Sequence, residues 1–456
     1  MRAAEALAVA ALVIGSPLAA RADGAFPAGQ AVLVPEDRPQ ELLLVTNFGV
    51  VLSEDGGATW TWSCEQDANA MATLYQRGPA PRQRLFAVAT PQVVYSDDAT
   101  CSWHTAGGLL AGQTMTDLFP DPTNADRVVA IGIGGGVGSV FESTDGGATF
   151  DTVLYQAAPG DIVTSVEIAR SDPAVVYVAL ADQDQHPKLA RSSDAGAHWT
   201  VTDLWTDLGA GLARIIAIDP DDADTVILRW SSQAGGEAVA VSHDGGTTAS
   251  KPLAVPLYFT SFARLPDGAL VVSAVVAVSP ATKAALFVSR DGAVTFQEND
   301  AVPSVAALAQ RDGVLYAATD NFADGYALGA SRDLGVTWEP VVRFDQVRSI
   351  MACLQANPQC QATCESLAGK GLASPGQIWD ESVCLGGANP SGTGGAGGAS
   401  SGGAPGGTAG SGGGVHNSSG GGCTLAPGPI WPWAPLAVGL MLIALTFRRA
   451  RRRHHA

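Results

Sequence analysis

One eight-residue pattern, Ser-x-Asp-x-Gly-x-Thr-Trp, recurs along the chain and limits its fold more than any other feature. It is clearest at 53–60 (SEDGGATW), 143–150 (STDGGATF), 192–199 (SSDAGAHW) and 331–338 (SRDLGVTW). It is weaker at 242–249 (SHDGGTTA) and 289–296 (SRDGAVTF), and degenerate at 96–103 (SDDATCSW), which keeps Ser96, Asp98 and Trp103. Successive copies start 43, 47, 49, 50, 47 and 42 residues apart. Seven copies at such even spacing are not accidental, and a unit of this length is that of a four-stranded propeller blade.

The sequence between the copies reads as strands. In the fourth unit, apolar and β-branched runs fall at 163–168, 175–180, 189–193 and 198–204. The fifth repeats them at 214–219, 225–230 and 237–242, and the seventh at 305–310, 314–319, 326–331 and 337–344. The first unit begins near Gln30 and the last ends near Val347, which leaves room for seven complete blades. The expected fold is all-β, a seven-bladed β-propeller over residues 27–350.

The residue types state what the pattern does. Ser53, Ser143, Ser192, Ser242, Ser289 and Ser331, with Asp55, Asp145, Asp194, Asp244, Asp291 and Asp333, offer oxygen acceptors to free backbone N–H groups in a tight hairpin. Gly57, Gly147, Gly196, Gly246 and Gly335 stand where a positive φ is needed. Trp60, Phe150, Trp199, Phe296 and Trp338 leave the turn to pack between sheets. The six aspartates are therefore read as structural. On these residues the 320-residue body resembles the Asp-box, or BNR, repeat propellers of the sialidase-like and sortilin-like kind. The resemblance implies peripheral turns, set away from the ligand face.

Both chain ends read as addresses. Residues 1–22 form a signal peptide: Arg2, a short apolar core at 6–14, and Ala20-Arg21-Ala22 as the cleavage site. Near the other end, 430–447 is an uncharged run of 18 residues, roughly 27 Å as a helix and enough to span a bilayer. Trp431 and Trp433 sit at its outer edge, and Arg448, Arg449, Arg451, Arg452 and Arg453 follow, which keeps that end cytoplasmic. Gly422-Cys423, the apolar run and the basic tail together resemble the MYXO-CTERM sorting signal of bacterial surface proteins, over residues 423–456. That resemblance implies a sorting protease acting near Cys423 and display at the cell surface. An ordinary single-span anchor is the alternative. Between these parts, residues 386–422 hold 18 of the 54 glycines. They form a disordered stalk, about 30–37 Å across as a random coil.

Charge narrows the partners. The chain carries a net −18; without its terminal arginines and Glu5 the body keeps 19 basic and 43 acidic residues, a net −24. Nucleic acid is excluded as a partner. The expected partners are an extracellular ligand or protein and, through the C-terminal helix, the membrane.

Seven cysteines in an exported chain imply pairs and one left over. Cys64 and Cys101 lie on outer strands of neighbouring units, and a Cys64–Cys101 bridge is expected, compensating for Thr100 where the turn lacks its glycine. Cys353, Cys360, Cys364 and Cys384 cluster in a helical segment at 351–385, where three connectivities are open and Cys360–Cys364 is disfavoured by geometry. Two short helices, broken at Asn357-Pro358, are expected there. Zinc is the sharper reading of the cluster, but no CxxC pair or nearby histidine supports it, so no metal and no cofactor is assigned. Cys423 is the odd residue.

Catalytic patterns are sparse. The G-x-S-x-G match at 398–402 falls in the stalk, and the glycines at 132–136 read as an inter-strand loop of the third blade. A glycosidase needs two carboxylates flanking the sugar bond; the best constellation is Asp182, Asp184 and His186 with Asp320 and Asp324 at the matching place in blade seven, on the end opposite the Asp-box turns. Sialidases also need arginines for the substrate carboxylate, and Arg170 and Arg214 are the nearest candidates, while the Arg-Ile-Pro signature is missing. The expectation is a non-catalytic binding or scaffold module at the cell surface, for a peptide, glycan or protein. The alternative is a glycoside hydrolase of the Asp-box superfamily, with Asp182 or Asp184 paired to Asp320 or Asp324.

Overall fold

A computed structural model describes residues 27–64, 74–278, 281–299, 302–368 and 378–385. The signal peptide, the stalk, the Gly422-Cys423 signal and the 430–447 span lie outside the described residues; among those described, no helix is long and apolar enough to cross a membrane. The described chain folds into seven antiparallel sheets, six of four strands and one whose four strands gain a fifth, with a separate two-stranded parallel pair of Gly107–Gly108 and Thr149–Phe150. Their first strands are Gly29–Leu33, Leu74–Arg77, Thr114–Pro120, Ile162–Ile168, Gly211–Ile218, Tyr258–Arg264 and Ala307–Arg311. First strands of neighbouring blades pack on one another from blade one to blade five and from blade six to blade seven, and that of blade seven lies against that of blade one, closing the ring. Gly29 lets the two strands meet closely at this seam, where a Cβ would stand 3.0 Å from the Cβ of Ala318 in blade seven.

Second strands such as Leu42–Thr46, Leu85–Ala89 and Val176–Ala181 are buried at every position. Each sheet is sandwiched between two others, so both faces are dry and the strands read as unbroken apolar runs rather than alternations. The first strands carry an extra residue in five blades, at Gln30, Thr116, Thr164, Ile216 and Thr260. Such bulges re-aim neighbouring groups, and next to them sit bonds that staple blade to blade. The Val166 N–H donates to Asp117 Oδ2 at 3.2 Å, the Ile215 N–H to Ser165 Oγ at 2.7 Å, and the Leu308 N–H to Ser261 Oγ at 2.8 Å.

All seven repeat turns share one hydrogen-bond scheme. The serine Oγ accepts the N–H four residues on, as from Gly57 and Gly147 (both 2.8 Å). The aspartate then accepts the next N–H but one with Oδ1 and, in most copies, a threonine hydroxyl with Oδ2, as at Asp55 with Thr59 (2.8 and 2.6 Å). The degenerate copy keeps the scheme with Ser102 on Asp98, and Thr100 takes the glycine's place at φ +83°. The tryptophans turn their indole N–H back to the turn, Trp60 to the Gly57 carbonyl at 3.1 Å and Trp338 to that of Gly335 at 3.1 Å.

The cysteine pairing differs from the expectation. Cys64 bonds Cys360, Cys101 bonds Cys353, and Cys364 bonds Cys384. Cys64 and Cys101 are not partners, because the chain leaving blade seven crosses to blade one and presents its own cysteines to both. There Ser349–Ile350 adds a parallel fifth strand to the outer edge Thr61–Ser63. This two-residue strand falls in a segment that lacks β signals in sequence. A short 3₁₀ turn at Ala352–Leu354 and the helix Pro358–Leu367 follow, the latter capped by the Asn357 side chain on the N–H groups of Gln359 and Cys360. Trp379 then packs on Trp62 and Phe48, with ring centroids 5.2 and 5.7 Å apart. With all four cysteines of the cluster in disulfides, no thiolate remains there for zinc.

Candidate functional site

In blades one, three, four and five the loop between strands one and two accepts a bond from the repeat turn between strands three and four. The Gly146 N–H donates to the Asp126 carbonyl (2.8 Å), the Ala195 N–H to Ala174 (2.8 Å) and the Gly245 N–H to Asp224 (2.9 Å). These loops therefore share one end of the propeller. At that end, where the first strands finish, a cavity of about 390 Å³ opens on the axis. Its wall draws on blades one to five and seven, including Val34, Arg77, Phe119, Glu167, Arg170 and Gln310. Five prolines, Pro35, Pro79, Pro120, Pro122 and Pro220, line it together with the charged Glu36, Asp37 and Arg170. Proline fixes φ and removes a donor, so those parts of the wall are stiff and set in advance of any ligand.

Within the wall lies an unusual carboxyl. Glu167, 4% exposed, sits on the first strand of blade four. Burial pushes its pKa up to about 8, Asp117 adds to the rise, and Arg214 and the Ile218 N–H oppose it. Asp117, on the first strand of blade three, is also raised, by burial above all, against Arg214 and the N–H groups of Val166 and Leu118. Arg214 Nη2 stands 3.8 Å from Asp117 Oδ1, reaching from blade five to blade three. A carboxyl held neutral in this way donates a hydrogen bond instead of repelling acceptors.

The sequence-predicted residues divide. Arg170 lines the cavity and Arg214 pairs with Asp117, so both arginines lie at the channel. Asp182, Asp324 and Asp320 build their own loops. Asp182 accepts from the Asp184 and His186 N–H groups (3.0 and 2.9 Å) and from His186 Nδ1 (3.1 Å). Asp324 Oδ2 accepts from Ser304 and Asp320 N–H groups (both 3.0 Å), and Asp320 Oδ1 from those of Phe322 and Ala323. The bond from the His186 N–H is the main cause that lowers Asp182, whereas burial raises Asp324. Asp184 lends its N–H to Asp182, and none of these four carboxylates lines the cavity. Asp117, Glu167 and Gln310 escape a motif search. Their one sequence signal is a polar residue inside an apolar first strand, as in Val166-Glu167-Ile168.

No family model matches the chain, and no curated protein does. Solved structures do. The GH74 enzyme of Niastella koreensis aligns at 15% identity over 66% of this chain and 59% of that one, with a TM-score of 0.28; the chain thus spans less than two thirds of it. YCF48 from Cyanidioschyzon merolae aligns at 14% identity over 64% of this chain and 92% of that one, TM-score 0.42. The Hadza microbial sialidase Hz136 aligns at 14% identity over 60% and 70%, TM-score 0.38. Such identities concern fold alone. The class, a seven-bladed all-β propeller, rests on the seven sheets themselves.

Proposed function

We propose that this protein is an exported binding module without catalytic activity, held at the cell surface by its C-terminal signal, which engages its ligand at the mouth of the propeller channel. The observation that carries this reading is the preformed, proline-lined cavity at the end of the first strands. The loop carboxylates on the opposite end support it, since Asp182, Asp320 and Asp324 are engaged by backbone N–H groups. On this reading, sorting near Cys423 and the stalk hold the propeller off the membrane. The test is a paired screen of the full chain: peptide and glycan arrays for binding, and oligosaccharides for hydrolysis. Binding without turnover, weakened when Pro122→Trp obstructs the cavity, is the expected result. Hydrolysis abolished by Asp184→Asn or Asp324→Asn would overturn it in favour of the hydrolase.

A further inference from the structure

The three disulfides differ in access and in what they hold. Cys64–Cys360 fastens the C-terminal segment to blade one, and Cys364–Cys384 closes that segment on itself. All four of these cysteines are buried, none more than 4% exposed. Cys101–Cys353 fastens the segment to blade two, and it lies at the surface, with Cys101 partly exposed and Cys353 exposed. Blade two is also the blade that most needs fastening. Its repeat turn holds Ala99 at φ +55° and Thr100 at φ +83°, where every other turn has glycine at one or both positions. A β-branched residue in that region is strained. Its fourth strand, His104–Thr105, is the shortest of the seven and pairs with Val94 and Tyr95 alone. Besides the disulfide, the Thr100 hydroxyl donates to Met351 Sδ at 3.2 Å, and Met351 packs on the apolar cluster between blades one and two.

We propose that Cys101–Cys353 is a site of reversible thiol–disulfide exchange with a dithiol reductant, and that its state sets how firmly blade two is held. The thiolate of the dithiol attacks Cys353 Sγ, the more accessible sulfur, and expels Cys101 as a thiolate that takes up a proton. The second thiol then closes on the first, forming the reductant's own disulfide and expelling Cys353. Two electrons and two protons pass from the dithiol to the cysteine pair, and a disulfide oxidant reverses the step. Opening is confined, because Cys64–Cys360 still pins the segment to blade one. Blade two supplies Gln76, Arg77, Gly78, Pro79 and Ala80 to the cavity wall, so the exchange reaches the candidate site. That last link alone rests on the binding-module reading, and the experiment needs no ligand.

The full chain, its free thiol blocked, is exposed to dithiothreitol under native conditions, and new thiols are trapped with N-ethylmaleimide and located by peptide mass spectrometry. Cys101 and Cys353 should be labelled at least about tenfold faster than the other four cysteines. In the protein reduced at that pair, hydrogen exchange over residues 85–105 should quicken about fivefold or more, while blade four, 162–203, keeps its protection. Oxidised dithiothreitol should restore it. The double variant Cys101→Ser, Cys353→Ser should show the same local loss without reductant; the wild-type arm stands if that variant does not fold. Labelling of all six cysteines together, or of Cys64 and Cys360 first, would overturn the proposal. So would unchanged exchange in blade two after selective reduction, or a loss of protection that reoxidation does not repair.

Discussion

The propeller holds two populations of carboxylates that differ in everything except their chemistry. Those at the rim, in the repeat turns, are solvated and surrounded by donors. Thr59, His198 and Thr295 donate from their side chains to Asp55, Asp194 and Asp291, and hold them at about 2. Those near the axis, Asp117 and Glu167, are 7% and 4% exposed, and burial raises both. One set is ionised because the turn needs an anion to gather its N–H groups. The other is kept from ionising because the ring of apolar sheets offers little to solvate a charge. Rim carboxylates thus build the fold, and axial ones are left available for binding.

The largest effect should come from the axis. A carboxyl whose folded pKa is raised contributes its full stability below the unfolded value, near 4.5, and loses it as pH climbs to the folded value of about 8. The wild type should therefore weaken by an amount on the order of several kcal/mol between about pH 5 and pH 9, reduced by water entering the mouth. Glu167→Gln should flatten that decline, measured by urea denaturation across pH. If wild type and variant fall in parallel, the axial half of the contrast is wrong.

Next in size is the loss of a rim carboxylate. Asp145 accepts from the Ala148 and Thr149 N–H groups and the Thr149 hydroxyl. Asp145→Ala should cost about 1–2 kcal/mol, as loss of a helix N-cap does. Thermal melts at neutral pH would show it.

Asp98→Ala should cost less than Asp145→Ala. Blade two is also tied through Cys101 to Cys353, and that tie persists when the turn loosens. Equal losses in the two melts would mean that the disulfide carries none of this load.

The smallest effect lies at the acid end. For the rim set the folded pKa is depressed, so stability is present above about 4 and is lost as pH falls through about 2. These groups lie at the surface, so Asp55→Asn should alter the acid limb of the stability curve only slightly. A large change there would show the rim carboxylates to be less solvated than described.

Much of the fold was legible because it is repetitive and local. The Ser-x-Asp pattern marks each hairpin by the hydrogen bonds it makes within eight residues, and those bonds appear in all seven copies, even where Thr100 replaces glycine. The strand ranges at 163–168 and 237–242 fall on Ile162–Ile168 and Glu237–Ser242. The disulfides were not legible. Cys64 and Cys101 are near in sequence, but their partners lie 296 and 252 residues away, brought in by ring closure. The candidate site was only half legible. Arg170 and Arg214 stood out in sequence as the arginines nearest to strand ends. Glu167, Asp117 and Gln310 belong to three different blades and converge only on the axis.

The amino-acid sequence alone determines that this chain makes four-stranded units, how many of them, and where each turns, since those are short-range matters of hydrogen bonding and β-branched packing. Tertiary structure decides what the units enclose. Wrapping seven sheets into a ring buries both faces of every blade and carries the chain's end back to blades one and two. It also draws polar residues from distant strands to one mouth, where burial changes what a carboxyl is.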